Sequence, residues 1–245
     1  MTDQTAIRPP LVGRSSMATR ALLGDLVRAA GEAGLTPAEF ISGGGVAVAQ
    51  DIRDGAISDV IVLADKAVRS LAADGFVLPD SVQPLFSSPS VLATRATPAP
   101  PPLTDEDDLR ALLMSAEGIG YSTGPSGTAF LALIERLGLT QELSARLVQA
   151  RPGNPVGAMV ANGEVTLGFQ QASEMTGIDG LTILGELPAP HTITSVFTGA
   201  VGASTTRLEQ AQALLAFLGD QAHAPLVTQH GMSLAHPNPA NTTEG

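Results

Sequence analysis

The stretch Asp59-Val-Ile-Val-Leu-Ala64 sets four branched apolar residues in a row with no polar residue between them. A strand with one face in water alternates apolar and polar side chains; a strand apolar on both faces needs helices covering each side. This run therefore points to a layered α/β fold with mostly parallel strands. Other strand candidates fall at Pro10–Arg14, Glu39–Ser42, Ser90–Arg95, Gly118–Ser122, Val165–Gln170, Leu181–Leu184 and Thr192–Ala200. Helical patterns fill the gaps. Leu22, Leu26 and Ala29 share a face of a helix over Met17–Ala30, and Phe130, Leu133, Ile134 and Leu137 recur at i, i+3, i+4, i+7. Leu208, Ala211, Leu215 and Leu218 form a third stripe, and such stripes are read as core. Thr104, followed by an acidic turn with Asp107 three residues on, reads as a variant capping box.

The proline-rich stretch Thr97–Leu103 is stiff and directly follows the Ser90–Arg95 strand, so it marks either a passage between two lobes or an exposed loop. The tail from His236 to Gly245 is polar and reads as disordered.

Composition narrows the function classes. The net charge is −11, which repels a phosphate backbone, and aromatic residues make up only 3%, too few for base stacking; no nucleic-acid partner is expected. With no Cys there is no thiolate metal site or Cys nucleophile. His191, His223, His230 and His236 fit no metal-ligand spacing, so no metal is expected; His223 and His230, seven apart, are expected to share a face of one helix. No nucleotide-binding glycine motif appears, and no cofactor is expected. No apolar run approaches the ~18–20 residues needed to span a bilayer. The first residues lack the basic and apolar regions of an export signal, which reads as a cytoplasmic protein, or a periplasmic one if a signal has been removed.

Four loops repeat one design, in which a strand ends, small polar residues follow, and the next helix begins. They are Gly13-Arg14-Ser15-Ser16, Ser42-Gly43-Gly44-Gly45, Ser122-Thr-Gly-Pro-Ser126-Gly127 and Gln170-Gln171-Ala-Ser173. Helix N-termini carry free N–H groups and the positive end of the dipole, hydroxyls add donors, and glycine lets a ligand approach the backbone. Converging, such loops hold an anion without lysine; singly, each is an ordinary N-cap. Arg14 is placed either to clamp a carboxylate or to pair with an acid of the protein. Glu174 faces either a cleft or solvent in a first helical turn.

The segment Ser42-Gly-Gly-Gly-Val-Ala-Val-Ala-Gln-Asp-Ile-Arg-Asp-Gly-Ala-Ile-Ser-Asp-Val-Ile-Val-Leu-Ala-Asp65 resembles the molybdate-binding-protein family. Ile119–Gly127, Gly163–Gly168, Ala213–Leu218 and Gln229–Met232 match it in the same order. The resemblance implies a type II periplasmic-binding-protein fold, with two lobes joined by two crossing strands and ligand held in an interlobe cleft. Crossings near Ser90–Arg95 and Thr192–Val196 make the first lobe residues 1–93 and 196–245 and the second 94–195. Arg14, Ser15, Ser16, Gly43, Gly44, Gly45, Ser122, Ser126, Gln170 and Gln171 would then line the cleft.

Two departures stand out. Gly44 and Gly45 replace hydroxyls, and Gln171 stands near the place of a Tyr. An amide both donates and accepts, and glycine makes room, so the site reads as reshaped for a di- or tricarboxylate. The Gln-Gln-x-Ser-Glu pattern resembles bacterial aconitate isomerases, which implies a proton shift on an unsaturated carboxylate, with Glu174, His191 and Tyr121 as candidates for the base. The alternative is a receptor delivering an oxyanion or carboxylate to an ABC permease without catalysis.

Overall fold

The computed structural model describes residues 9–95, 101–151 and 154–235. The residues read for an export signal, the tail from His236, and part of the proline-rich stretch lie outside them. In chain order the elements are β1 (Leu11–Ser16), α1 (Arg20–Glu32), β2 (Ala38–Gly43), α2 (Gly45–Arg53), β3 (Val60–Ala64), α3 (Asp65–Ala73), β4 (Gln83–Thr94), α4 (Glu106–Ser115), β5 (Ile119–Tyr121), α5 (Pro125–Arg136), α6 (Thr140–Leu143), β6 (Leu147–Gln149), α7 (Val156–Ala161), β7 (Leu167–Gln171), α8 (Ala172–Met175), β8 (Thr182–Glu186), β9 (Thr194–Val201), α9 (Leu208–Leu218), α10 (Ala224–Gln229) and β10 (Ser233–Leu234). Two compact units share them: one over residues 9–86, 196–227 and 234–235, the other over 87–195 and 228–233. The chain changes unit inside β4, after Phe86, and again inside β9, after Ser195.

In the first unit β2, β1 and β3 run parallel, and β9 pairs antiparallel with β3. The apolar run of β3 is fully buried from Val60 to Leu63. Ile61 and Leu63 pack with Val48, Ala49 and Ile52 of α2 and with Val68 and Leu71 of α3. Leu22, Leu23 and Leu26 of α1 and Leu214 and Leu218 of α9 are also buried, and α1 and α9 touch. Each fully buried aliphatic side chain contributes about 1.5–3 kcal/mol, so β3 anchors the layer order.

Asp59, just before β3, locks the opposite edge of this sheet. Its carboxylate accepts from Arg207, Thr205 Oγ1 and the Val12 N–H, while the Arg207 guanidinium also donates to the Pro9 and Pro10 carbonyls. Burial alone would raise the Asp59 pKa, but those hydrogen bonds and the Arg207 charge hold it below the usual carboxylate value.

In the second unit β7 pairs antiparallel with β4 and parallel with β5, β6 lies parallel beyond β5, and β8 adds to β4. One side is filled by Leu109, Leu113, Phe130, Leu133, Ile134 and Phe169, with the Phe130 and Phe169 rings stacked at 4.5 Å. Val156, Met175 and Val91 pack together, and Met159 clusters with Val160 and Val165.

The α4 cap differs from the sequence expectation by one residue. Asp105 is the N-cap and accepts the Asp108 N–H, while Asp108 reaches back to the Thr104 N–H and hydroxyl. The expected His223–His230 helix is corrected as well. The helix there is Ala224–Gln229, too short to include either histidine, because a 3₁₀ turn occupies Gln221–His223 and Gly231 turns the chain with φ +66°. Among the described residues no helix is long and apolar enough to cross a membrane.

Candidate functional site

In the first unit, the parallel register sets Ser15 opposite Ser42 and Ser16 opposite Gly43, so the β1 and β2 loops end at one sheet edge. The Ser15 and Ser42 hydroxyls bond at 2.8 Å, and Ser15 is fully buried. Ser16 is only 8% exposed, yet its Oγ has no hydrogen-bond partner among the described residues. Beside it α2 starts at Gly45 with Gly44 as N-cap, and no side chain caps the free N–H groups. A Cβ added at Gly44 or Gly45 would meet nothing within 4 Å, so both border open space. Buried hydroxyls, uncapped N–H groups and room beside them make a donor-rich edge suited to an anion.

Alternation along β1 turns the Arg14 side chain away from Ser15 and to the same side of the strand as Ser16. The guanidinium lies 3.7 Å from Asp51 and donates to the Ile57 carbonyl. Asp51 is six residues along α2 from Gly45, about 9 Å back from the helix start at 1.5 Å per residue. Of the two roles read for Arg14, the ion pair within the protein is the one its surroundings favour.

In the second unit the β5–α5 loop and the end of β7 build a hydroxyl–amide chain. Ser122 Oγ accepts the Gly124 and Gly127 N–H groups and bonds Ser126 Oγ at 2.8 Å, and Ser126 Oγ donates to Gln171 Oε1 at 3.0 Å. Since Ser126 spends its proton on Gln171, it accepts the Ser122 proton, and the order of donors is fixed. Gln171 is left with its NH₂ group to present, 3.5 Å from Ser195 Oγ. The turn needs glycine at 127: a Cβ there would lie 1.8 Å from the Ser122 carbonyl oxygen.

Gln170 and Gln171, adjacent at the end of β7, do not act together. Gln170 pairs with Glu174 instead, and its Oε1 is buried without a partner. Glu174 is half-buried on α8; burial raises its pKa above the usual carboxylate value, with the Gln170 hydrogen bond pulling the other way. A carboxyl raised in this way titrates closer to neutrality, which suits a group that takes and returns protons.

The other two base candidates have contacts of their own. Tyr121 packs at the edge of the apolar core, its ring 6.3 Å from Phe130. His191 bonds Glu106 at 2.9 Å. Arg110 and His191 together lower the Glu106 pKa. Among the described residues no three His, Asp or Glu side chains gather to hold a metal ion. Lys66, at the start of α3, was not singled out in the sequence, although it is the sole lysine of the chain.

Comparison with known proteins fits this fold. A family profile described as bacterial extracellular solute-binding protein matches residues 13–233. A protein named aconitate isomerase, from a Pseudomonas species, is 31% identical over 176 residues, 71% of this chain and 67% of that protein. Among solved structures, the periplasmic molybdate-binding protein of Azotobacter vinelandii superposes with a TM-score of 0.75 at 24% identity, covering 93% of this chain and all of the other. Peb3 from Campylobacter jejuni superposes with a TM-score of 0.66 at 11% identity, covering 92% and 100%. The expected likeness to molybdate-binding proteins and the type II periplasmic-binding-protein fold are borne out. The expected cytoplasmic location gains no support, since the family is described as extracellular. The chain belongs to the bacterial extracellular solute-binding protein family.

Proposed function

We propose that this protein binds a small organic anion, a di- or tricarboxylate, and isomerises it by moving a proton. The observation that carries the binding claim is Ser16: a buried hydroxyl without a partner, one register step from the uncapped start of α2. Burying an unsatisfied hydroxyl costs about 1–3 kcal/mol, and a ligand oxygen that accepts from it recovers that cost. In the first unit the donors are Ser16, the Ser15–Ser42 hydroxyl pair, which keeps one free proton, and the Gly44–Gly45 backbone; in the second unit the Gln171 NH₂ group is the donor, since the Ser122 and Ser126 protons are already spent. Each suits an oxygen of a carboxylate, and none requires a metal.

The isomerase claim rests on the relative named aconitate isomerase and on Glu174. As base, the Glu174 carboxylate takes a proton from a methylene carbon next to a carbon–carbon double bond. The electron pair spreads over the three carbons, and the same carboxyl returns the proton to the far carbon. The double bond moves, and no atom is gained or lost. Donors held on the substrate carboxylates stabilise the charge that develops.

The family description favours a second reading, a receptor that passes its ligand to an ABC permease outside the cytoplasm. Incubation with cis- and trans-aconitate in deuterated buffer, followed by NMR, separates the two. The isomerase reading expects interconversion with deuterium at the new methylene, the former vinyl carbon, abolished in Glu174→Gln while binding persists. Saturable binding with neither deuterium uptake nor a new isomer sinks it and favours the receptor. No binding of either acid sinks the tricarboxylate assignment.

A further inference from the structure

The sole lysine of the chain stands in an electrostatically costly place. Lys66 is the second residue of α3, beside the positive end of that helix dipole, where a cation is disfavoured. It is exposed, and among the described residues it has no hydrogen bond or ion pair, in a chain with 24 acids. Acids on α3 and α2 are committed elsewhere. Asp65 is held by Arg69 and Thr198, and Asp51 faces Arg14.

Its surroundings follow from helix periodicity. Residues 66, 70 and 74 form one i, i+4 row of α3. The lower part of that row faces α2, because Arg53 donates to both Ser70 and Asp74. The two helices follow parallel strands and run in the same sense. One turn back from Ser70 along the same row, Lys66 lies at the start of α3. Side chains on a helix lean toward its N-terminus, so the Lys66 stem leans toward the Gly45 turn of α2. The sheet edge is the same one, because β1 lies between β2 and β3 and all three end there.

We infer that Lys66 is the cation of the first unit's anion site, placing its ammonium beside the Ser16 hydroxyl and the α2 start to meet a ligand carboxylate. The inference rests on the carboxylate-binding reading above. It assigns the anion's counter-charge to Lys66 in place of Arg14, and it explains an unpaired cation at a helix start.

Two measurements on the full chain test it with trans-aconitate as probe. In calorimetry, Lys66→Gln is expected to weaken binding about ten-fold or more and to flatten its salt dependence, while Lys66→Arg stays within a few-fold of wild type. Thermal melting of Lys66→Gln without ligand is expected to be unchanged or slightly higher, since the substitution removes a charge the dipole disfavours. Because the chain has one lysine, acetylation of Lys66 is read directly by mass spectrometry, and trans-aconitate should slow it about ten-fold, in step with occupancy. Wild-type binding with equal affinity in Lys66→Gln and no protection overturns the role of Lys66 and leaves the carboxylate reading standing. No binding to wild-type protein overturns both.

Discussion

Two serine-to-alanine substitutions should change stability in opposite directions. Ser16 and Ser126 are both buried, at 8% and 1% exposure. Ser126 Oγ makes bonds of 2.8 and 3.0 Å to Ser122 and Gln171, whereas Ser16 Oγ makes none among the described residues. Ser126→Ala strands Gln171 Oε1 in a buried place, which costs about 1–3 kcal/mol. Ser16→Ala removes a desolvated hydroxyl that returned nothing, so the ligand-free protein gains up to about 1 kcal/mol. For a chain of this size each kcal/mol moves Tm by about 2–4 °C. Thermal unfolding should therefore show Ser126→Ala melting lower than wild type and Ser16→Ala melting at the same temperature or a few degrees higher. With trans-aconitate the same Ser16→Ala protein should bind about ten-fold or more weakly, because a hydrogen bond to a charged group is worth about 1.5–3 kcal/mol. A lower Tm for Ser16→Ala, or unchanged affinity, would show that the hydroxyl serves the fold and not a ligand.

Further outcomes follow from the same geometry. Arg14→Ala should leave trans-aconitate affinity within about two-fold in calorimetry, since its guanidinium is engaged by Asp51 of α2 and by the Ile57 carbonyl; a ten-fold loss would place Arg14 in the site. The Asp59 carboxyl, lowered in the folded chain, contributes stability that is present above its unfolded pKa and lost as pH falls through its folded value, so acid weakening from this group sets in below about pH 4. Arg207→Met should cost about 2–3 kcal/mol in urea unfolding and move that acid loss to higher pH; unchanged stability would show that the Pro9–Pro10 start is held by other contacts.

What the sequence revealed follows physical scale. The β3 run and the i, i+3, i+4 stripes involve neighbours in the chain, and the structure places them in the core except at two stripe ends: Leu208, in the first turn of α9, is exposed, and Ala29 is only partly buried. Only the second half of β4 was legible, because Pro84 and Pro89 interrupt Gln83–Thr94 and a strand pattern with prolines reads as loop. The strands Leu147–Gln149 and Ser233–Leu234 were missed, since three and two residues carry no period. Loop chemistry was legible as donor-rich strand ends, but side-chain commitments were not. The Arg14 partner lies 37 residues away in α2, and Gln170 and Gln171 part company through strand alternation, which a short Gln-Gln motif hides. The isolation of Lys66 is a property of helix packing; the sequence shows only that it is unique.

The central claim is that the hydroxyls and the helix start beside Gly44 and Gly45 are set for an organic acid larger than a small oxyanion. One competition titration tests it: trans-aconitate against molybdate, by calorimetry on the intact chain. The open space at Gly44 and Gly45 predicts binding of trans-aconitate that excess molybdate does not displace. Tight molybdate binding that excludes trans-aconitate would contradict the account.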